Sequence, residues 1–405
     1  MTATSPTAFR GGPRAALTVR PFRWWFLGQV TSASGLMTQM VAIGWLVLRW
    51  HGSGVQLGLL SSVGLGPMLV LGLWAGSLVD HHDRRVLLIW TQGLLAAQSL
   101  LLYALIASGT ASYWPLMAVT LAGGVVNALD GPARQIYVLD LVGPERLAGA
   151  VSLYEVILNL SRVLGPAVGG LLLATSGPAA CVLINAVSYV APLAVLLRHR
   201  SSAASPHEEG ATRPSALDGI RYAWSRPLLR ACLLLGASST VLFSPTVFFP
   251  LLATRAFHLG DSGYGVLLAL FGLGALPGAL LAARREPTGA QVRRLAVLTG
   301  AAVIVTALAP DVPVLYGGIL ATGLSSIWMI AATNTLVQLR TAPELRGRVM
   351  GAWGMAIPGT LPVTALLAGA AADALGARTA YAGAGAVIVV VALASWRAYA
   401  GPAEG

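Results

Sequence analysis

Gly76-Ser77-Leu78-Val79-Asp80-His81-His82-Asp83-Arg84-Arg85 separates two runs, 56–79 and 86–108, that contain no charged residue. Each run has the roughly 20 apolar residues that a helix needs to cross a bilayer. A short charged break between two such runs marks a turn. The chain therefore enters the membrane, turns at this decapeptide and crosses back.

Further stretches of the same kind lie near 24–49, 113–139, 148–175 and 178–197, completing a set of six. A second set follows near 230–254, 262–283, 293–309, 313–338, 349–373 and 377–397. The fold class expected is an all-α membrane protein with twelve transmembrane helices in two six-helix bundles. Composition agrees, because the 405 residues are 56% hydrophobic and only 10% charged, with a mean hydropathy of +0.73. A soluble domain carries about 25% charged residues, so a soluble enzyme and a disordered chain are both excluded. All 26 basic residues are arginine. Without lysine there is neither a P-loop lysine for nucleotide-driven transport nor Schiff-base chemistry. Cys181 and Cys232 fall in apolar runs, and neither a disulfide framework nor a zinc site is expected.

The arginines set the expected topology. Only Arg49, Arg255 and Arg378 fall in turns on one side, and Arg134 and Arg162 lie inside spans, which leaves 21 of the 26 on the other side. That side is read as cytoplasmic and holds both termini. The net charge of +11 thus reports orientation, and nucleic acid is not an expected partner. The domain plan expected is a cytoplasmic arm over 1–23, a bundle over 24–197, a cytoplasmic loop over 198–229, a bundle over 230–398 and a tail over 399–405. The arm lacks the apolar core of a secretory signal. In the loop, Ala216–Trp224 is suited to a surface helix, and the remainder is linker.

The two sets echo each other. Pro144-Glu145 recurs as Pro343-Glu344, Gly170 as Gly369 and Gly177 as Gly376, all offset by 199 residues, and Gly76-Ser77-Leu78 resembles Gly278-Ala279-Leu280 at an offset of 202. Two pseudo-symmetric halves with a binding site between them form one of the known transporter plans.

The quoted decapeptide resembles the loop signature of the major facilitator superfamily. Trp45–Gly58, Asn127–Gln135, Asn159–Gly170 and Glu344–Met350 further resemble its enterobactin-exporter and macrolide-efflux-like branch. The resemblance implies a secondary active transporter. It also implies a conformational latch in which Asp80 packs against the start of the eleventh span near Gly347–Gly351, with Gly76 permitting close approach and Arg84 and Arg85 tethering the loop. His81 departs from the family, which more often has arginine there.

Asp130 and Arg134 sit four apart on the fourth span, hence on one face. Glu155, Asn159 and Arg162 form a second polar set on the fifth span. Ionisable groups inside a span are costly and face a cavity or each other. At an offset of 199 these positions are Met329, Thr333, Gly354 and Leu361 in the second half, so the charges are one-sided. Asp130, Arg134, Glu155 and Arg162 are the candidates for coupling to protons. Glu155 stands out because the branch usually has a small polar residue there. The other reading is a permanent Asp130–Arg134 pair that only fixes helix packing.

Gly165-Pro166-Ala167-Val168-Gly169-Gly170 predicts a kink at Pro166, which cannot donate to the carbonyl of Arg162, and close helix contact at the glycines. It is similar to the exporter-associated glycine-proline motif of the family, although the upstream glycines of the longer motif are absent. Gln29, Ser32, Thr38 and Gln39 on the first span are candidates for the substrate cavity. So are Asn159, Ser239, Thr240 and Ser244 further along, and Ser326, Asn334 and Gln338 on the tenth span. Trp45, Phe248, Phe249, Trp328 and Trp353 are candidates for an aromatic wall. A mainly uncharged cavity suits bulky amphipathic molecules.

The function expected is export of a drug, siderophore or secondary metabolite from a bacterial cell, driven by proton entry through alternating access. No cofactor, metal or enzymatic constellation is expected, and a monomer suffices to form the pathway. An importer or lipid flippase of the same fold, or a non-transporting membrane scaffold or sensor, is the alternative.

Overall fold

Backbone polar groups in lipid must be satisfied within the segment itself, so an apolar run of this length folds as a helix. The computed structural model describes residues 13–400 apart from 51, 144–145, 200–215, 242–244, 283, 343–344, 346–348, 351, 354–355 and 357–358. Its first half holds α1 (Pro13–Leu17), α2 (Arg20–Arg49), α3 (Gly54–His81), α4 (Arg84–Ala107), α5 (Tyr113–Val142), α6 (Leu147–Ser188) and α7 (Val190–Arg198). After α8 (Ala216–Ser225) in the connecting segment come α9 (Pro227–Ser239), α10 (Pro245–Leu251), α11 (Gly260–Ala282), α12 (Gly289–Ala307) and α13 (Val312–Leu339). The chain closes with α14 (Leu361–Leu375), α15 (Ala377–Ala394) and α16 (Trp396–Ala400). The described residues are 88% helical, with no strand among them.

Nine stretches of the described residues are helical, long and apolar enough to cross a membrane, and three shorter apolar helices accompany them. They resolve into twelve passes through two irregularities. Within α6 the chain breaks at Gly177, whose φ of 80° and ψ of 179° are not helical, so the fifth and sixth passes meet there. The seventh pass is broken as well, into α9, α10 and a π-helical turn at Leu252–Ala256. Pro245 and Pro250 each lack a donor, which prevents one continuous ladder. Elsewhere side chains mark the helix starts: Asp83 accepts from the amides of Arg85 and Val86, and Asp311 from that of Val314.

The described residues form two compact units that do not divide at the middle of the sequence. The first takes the described residues of Met1–Ala42, Pro67–Gly169 and Ser176–Gly210; the second takes those of Ile43–Gly66, Gly170–Thr175 and Ala211–Gly405. In the first, Phe22, Trp25, Leu88, Ala133, Tyr137 and Leu196 build a buried core, with Trp25 and Tyr137 edge to face at 5.1 Å. In the second, Phe248, Phe249, Phe271 and Tyr381 pack with ring centroids 5.2–6.3 Å apart. Large apolar side chains such as Val70, Trp114 and Leu308 stand exposed, as a surface solvated by lipid requires.

Candidate functional site

Asp130 is fully buried. Its Oδ2 pairs with Arg134 Nη2 one turn along α5. On the other side, Oδ1 accepts from Thr91 Oγ1 and from Gln92 Nε2 of α4, each at 2.7 Å. Arg134 Nη1 donates in turn to Gln29 Oε1 of α2 at 2.9 Å. Three helices of the first unit thus converge on one carboxylate and one guanidinium. An unpaired charge at this depth would carry a large desolvation cost, which pairing and hydrogen bonding offset. The i,i+4 pair follows from the spacing read in the sequence. Thr91 and Gln92 do not, because nothing local marks a polar residue on α4 as facing α5.

A second buried polar set in the same unit joins Asn185, Gln39 and Ser99. Asn185 Nδ2 donates to Gln39 Oε1 at 2.9 Å and to Ser99 Oγ at 3.0 Å. Gln29 and Gln39, two of the candidates for the cavity, are therefore already engaged inside the unit. Ser32 is buried too. The side chains of Glu155, Asn159, Arg162 and Asp80 lie outside the described residues, as does the packing at Gly76.

The glycine-proline stretch makes the close contact that its composition predicts. A Cβ at Gly165 would run into the Met37 side chain and approach Ser34 O within 2.7 Å, and one at Gly169 would lie 3.2 Å from Val41. Thr38 Oγ1 donates to Gly165 O at 2.9 Å across the same seam. Backbone dihedrals stay helical through Pro166, and the non-helical residue comes later, at Gly177.

On the face that carries most of the arginines, Arg84 and Arg85 tie down the loop before α4, and the tether expected toward Asp80 falls on a side chain outside the described residues. Arg84 Nη1 pairs with Asp140 Oδ1 at the end of α5, at 2.8 Å. Arg85 Nε donates to Leu196 O at 2.6 Å, and Nη2 to Leu197 O at 3.3 Å, so a cation meets the carbonyl end of α7. Asp80's proposed partners near Gly347–Gly351 lie mostly outside the described residues.

In the second unit, Ser239, Thr240 and Ser326 are buried, whereas Asn334 is half-buried and accepts from Gln338 Nε2 at 3.1 Å. Thr240 Oγ1 lies 3.1 Å from Thr360 Oγ1. Ser244 is outside the described residues. Trp45, Phe248, Phe249 and Trp353 are buried, mostly in ring or side-chain packing. At the arginine-poor face, a cluster that sequence reading did not single out joins Gly52, Gly54, Val55, Arg255 and Asp373.

Twelve apolar passes and a glycine-paired repeat are the architecture of a multi-pass membrane transporter of the major facilitator fold. The chain belongs to the transmembrane secretion effector family, whose model matches residues 11–404. It is 31% identical over 373 residues to the multidrug efflux pump Tap of Mycobacterium tuberculosis, with 85% of each chain covered. Against the staphyloferrin A transporter of Staphylococcus aureus it is 25% identical over 348 residues, covering 83% of this chain and 85% of that one. Among solved structures, an inward-facing, occupied bacterial homologue of the lysosomal transporter Spinster superposes with a TM-score of 0.71 at 14% identity. That match covers 93% of this chain and 95% of the other, and it shows the fold alone.

Proposed function

We propose that the protein is a proton-coupled exporter of an amphipathic drug, siderophore or secondary metabolite. It works as a monomer in a bacterial plasma membrane, with both termini in the cytoplasm. The relatives' names, a multidrug efflux pump and a siderophore transporter, support the substrate class. The arginine distribution supports the orientation. The two six-helix bundles, 24–197 and 230–398, alternate access to a cavity between them, and Asp80 with Gly76, Arg84 and Arg85 latches the cytoplasmic side.

The observation that carries the coupling is the buried pair of Asp130 and Arg134, placed where the second half has Met329 and Thr333. A proton taken up at Asp130 Oδ2 removes the charge that holds Arg134. The guanidinium then keeps its bond to Gln29 and turns toward whatever else can accept from it. Helices α2, α4 and α5 all hold this pair, so its charge state bears on their packing. Glu155 and Arg162 on the next pass are the second pair of coupling groups, with Glu155 as a proton carrier. The hydrogen bonds from Thr91 and Gln92 favour a second reading, in which Asp130 stays ionised and only Glu155 exchanges protons.

Efflux of a fluorescent substrate from everted vesicles, with and without a proton gradient, tests the proposal. Gradient-dependent movement is the result expected; none for any amphipathic compound in a broad panel counts against it. Asp130→Asn and Glu155→Gln then separate the two readings, because the variant of the proton carrier loses the gradient dependence. If Glu155→Gln keeps full proton-driven efflux, Glu155 has no coupling role.

A further inference from the structure

We propose that Asp373, together with Arg255, is a positioning latch for the transport cycle. Its carboxylate on the eleventh pass caps the first turn of the second pass and holds the arginine-poor mouth closed.

The first turn of a helix has amide groups without intrahelical partners. In α3 the local sequence meets only part of that need. Ser53 and Gln56 form a capping box: the Gln56 amide donates to Ser53 Oγ at 3.1 Å, and the Ser53 amide donates to Gln56 Oε1 at 2.9 Å. The amides of Gly54 and Val55 are left over. Asp373 takes both, with Oδ1 2.8 Å from Gly54 N and Oδ2 2.8 Å from Val55 N. The negative charge also sits at the positive end of the helix dipole. Arg255 completes the cluster, donating from Nη1 to Asp373 Oδ1 at 2.9 Å and from Nη2 to Gly52 O at 3.0 Å.

The approach that makes this possible is built from small residues. Gly54 lies against Gly369, where a Cβ on Gly54 would come within 2.5 Å of Gly369 O. One turn further, a Cβ on Gly58 would come within 2.6 Å of Ala365 O, and one turn beyond that Ser62 Oγ donates to Pro362 O. Positions 54, 58 and 62 thus run antiparallel to 369, 365 and 362, a seam of the small-residue type. Asp373 is one turn past Gly369, which places its carboxylate at the open end of α3.

Two features mark the cluster as reversible. The Arg255 and Asp373 side chains are 44% and 25% exposed, so water can replace each partner when the seam parts. The cap is also one-sided. Gly170, the repeat counterpart of Gly369, packs on Gly265 in the same backbone-to-backbone manner, but the counterpart of Asp373 is Ala174. Both seams close by packing, and only one carries a charge that chooses a state.

The test is maleimide labelling of Ser61→Cys, whose parent side chain lies 3.5 Å from Thr246 Oγ1 beside the seam. A membrane-impermeant maleimide is added to intact cells, with the parent chain as control because Cys181 and Cys232 are both buried. Asp373→Asn should raise the labelling rate about tenfold, the scale of losing a helix cap and its ion pair. Arg255→Gln, which leaves the cap, should raise it about threefold, within the range of a partly exposed pair. The exchange Asp373→Arg with Arg255→Asp keeps the ion pair but sets a cation at the helix start, and labelling should stay fast. A wild-type rate in Asp373→Asn overturns the latch, and a slow rate in the exchanged pair overturns the capping role. Misfolding is recognised separately by labelling of Cys181 and Cys232, and Arg255→Gln then decides in place of Asp373→Asn. The labelling needs no substrate, so a failure of the export reading leaves this result standing, and the reverse.

Discussion

Asp130 and Arg134 share one face of α5, and the carboxylate between them is closed on its far side by Thr91 and Gln92 of the neighbouring helix. Breaking such a pair from one side leaves a buried charge, whereas removing both partners need not. Asp130→Asn should therefore lower stability by about 3–5 kcal/mol, and Asp130→Asn with Arg134→Met should recover most of it. Thermal unfolding in detergent reads both. Transport driven by a proton gradient should remain absent in the recovered double variant if this pair couples.

Asn185 is a control for the idea that buried polarity marks function. Its amide bridges Gln39 and Ser99 within the first unit. Asn185→Leu should cost about 1–3 kcal/mol, because Gln39 is left buried without its donor. The same variant should keep gradient-dependent transport once folded. Loss of coupling at unchanged stability would place this cluster in the mechanism instead.

Glycines in this chain have opposite roles, and alanine substitution separates them. Gly165→Ala should destabilise by about 1–3 kcal/mol, since its Cβ meets Met37 and Ser34 across the α2–α6 seam. Gly131→Ala, in the interior of α5 with nothing within 4 Å, should stabilise by about 0.5–1 kcal/mol. Melting temperatures of the two variants should move in opposite directions.

Gly177→Ala and Gly376→Ala test the repeat. Both glycines have positive φ, 80° and 85°, with open space around the missing Cβ. With ψ of 179° and 151° both backbones lie in a region that only glycine adopts readily, so the expected cost is conformational, about 1–3 kcal/mol each, and additive in the double variant because each acts on its own turn. A neutral outcome at both would mean that neither turn needs glycine.

Much of the fold was legible because lipid leaves the backbone little choice. An apolar run of sufficient length must be a helix, so the spans read from composition match the helices to within a few residues at most ends. The recurrence of Gly177 as Gly376 at an offset of 199 has a plain cause, namely that both positions need a left-handed residue where one pass turns into the next. The Asp130–Arg134 pair was legible too, because helical spacing places it on one face.

Other relationships belong to the tertiary structure. Arg84 pairs with Asp140, 56 residues away, and no local spacing announces that partner. Asp373 reads in the sequence as a lone acid near the end of an apolar helix, and it caps a helix 319 residues earlier. By itself the sequence determined where the apolar helical passes run and that Asp130 and Arg134 share a helix face, since each follows from local composition and spacing against a bilayer. Only the tertiary structure decided which polar groups meet. A hydrogen bond between distant helices depends on their packing, and that packing is set by many small residues at once.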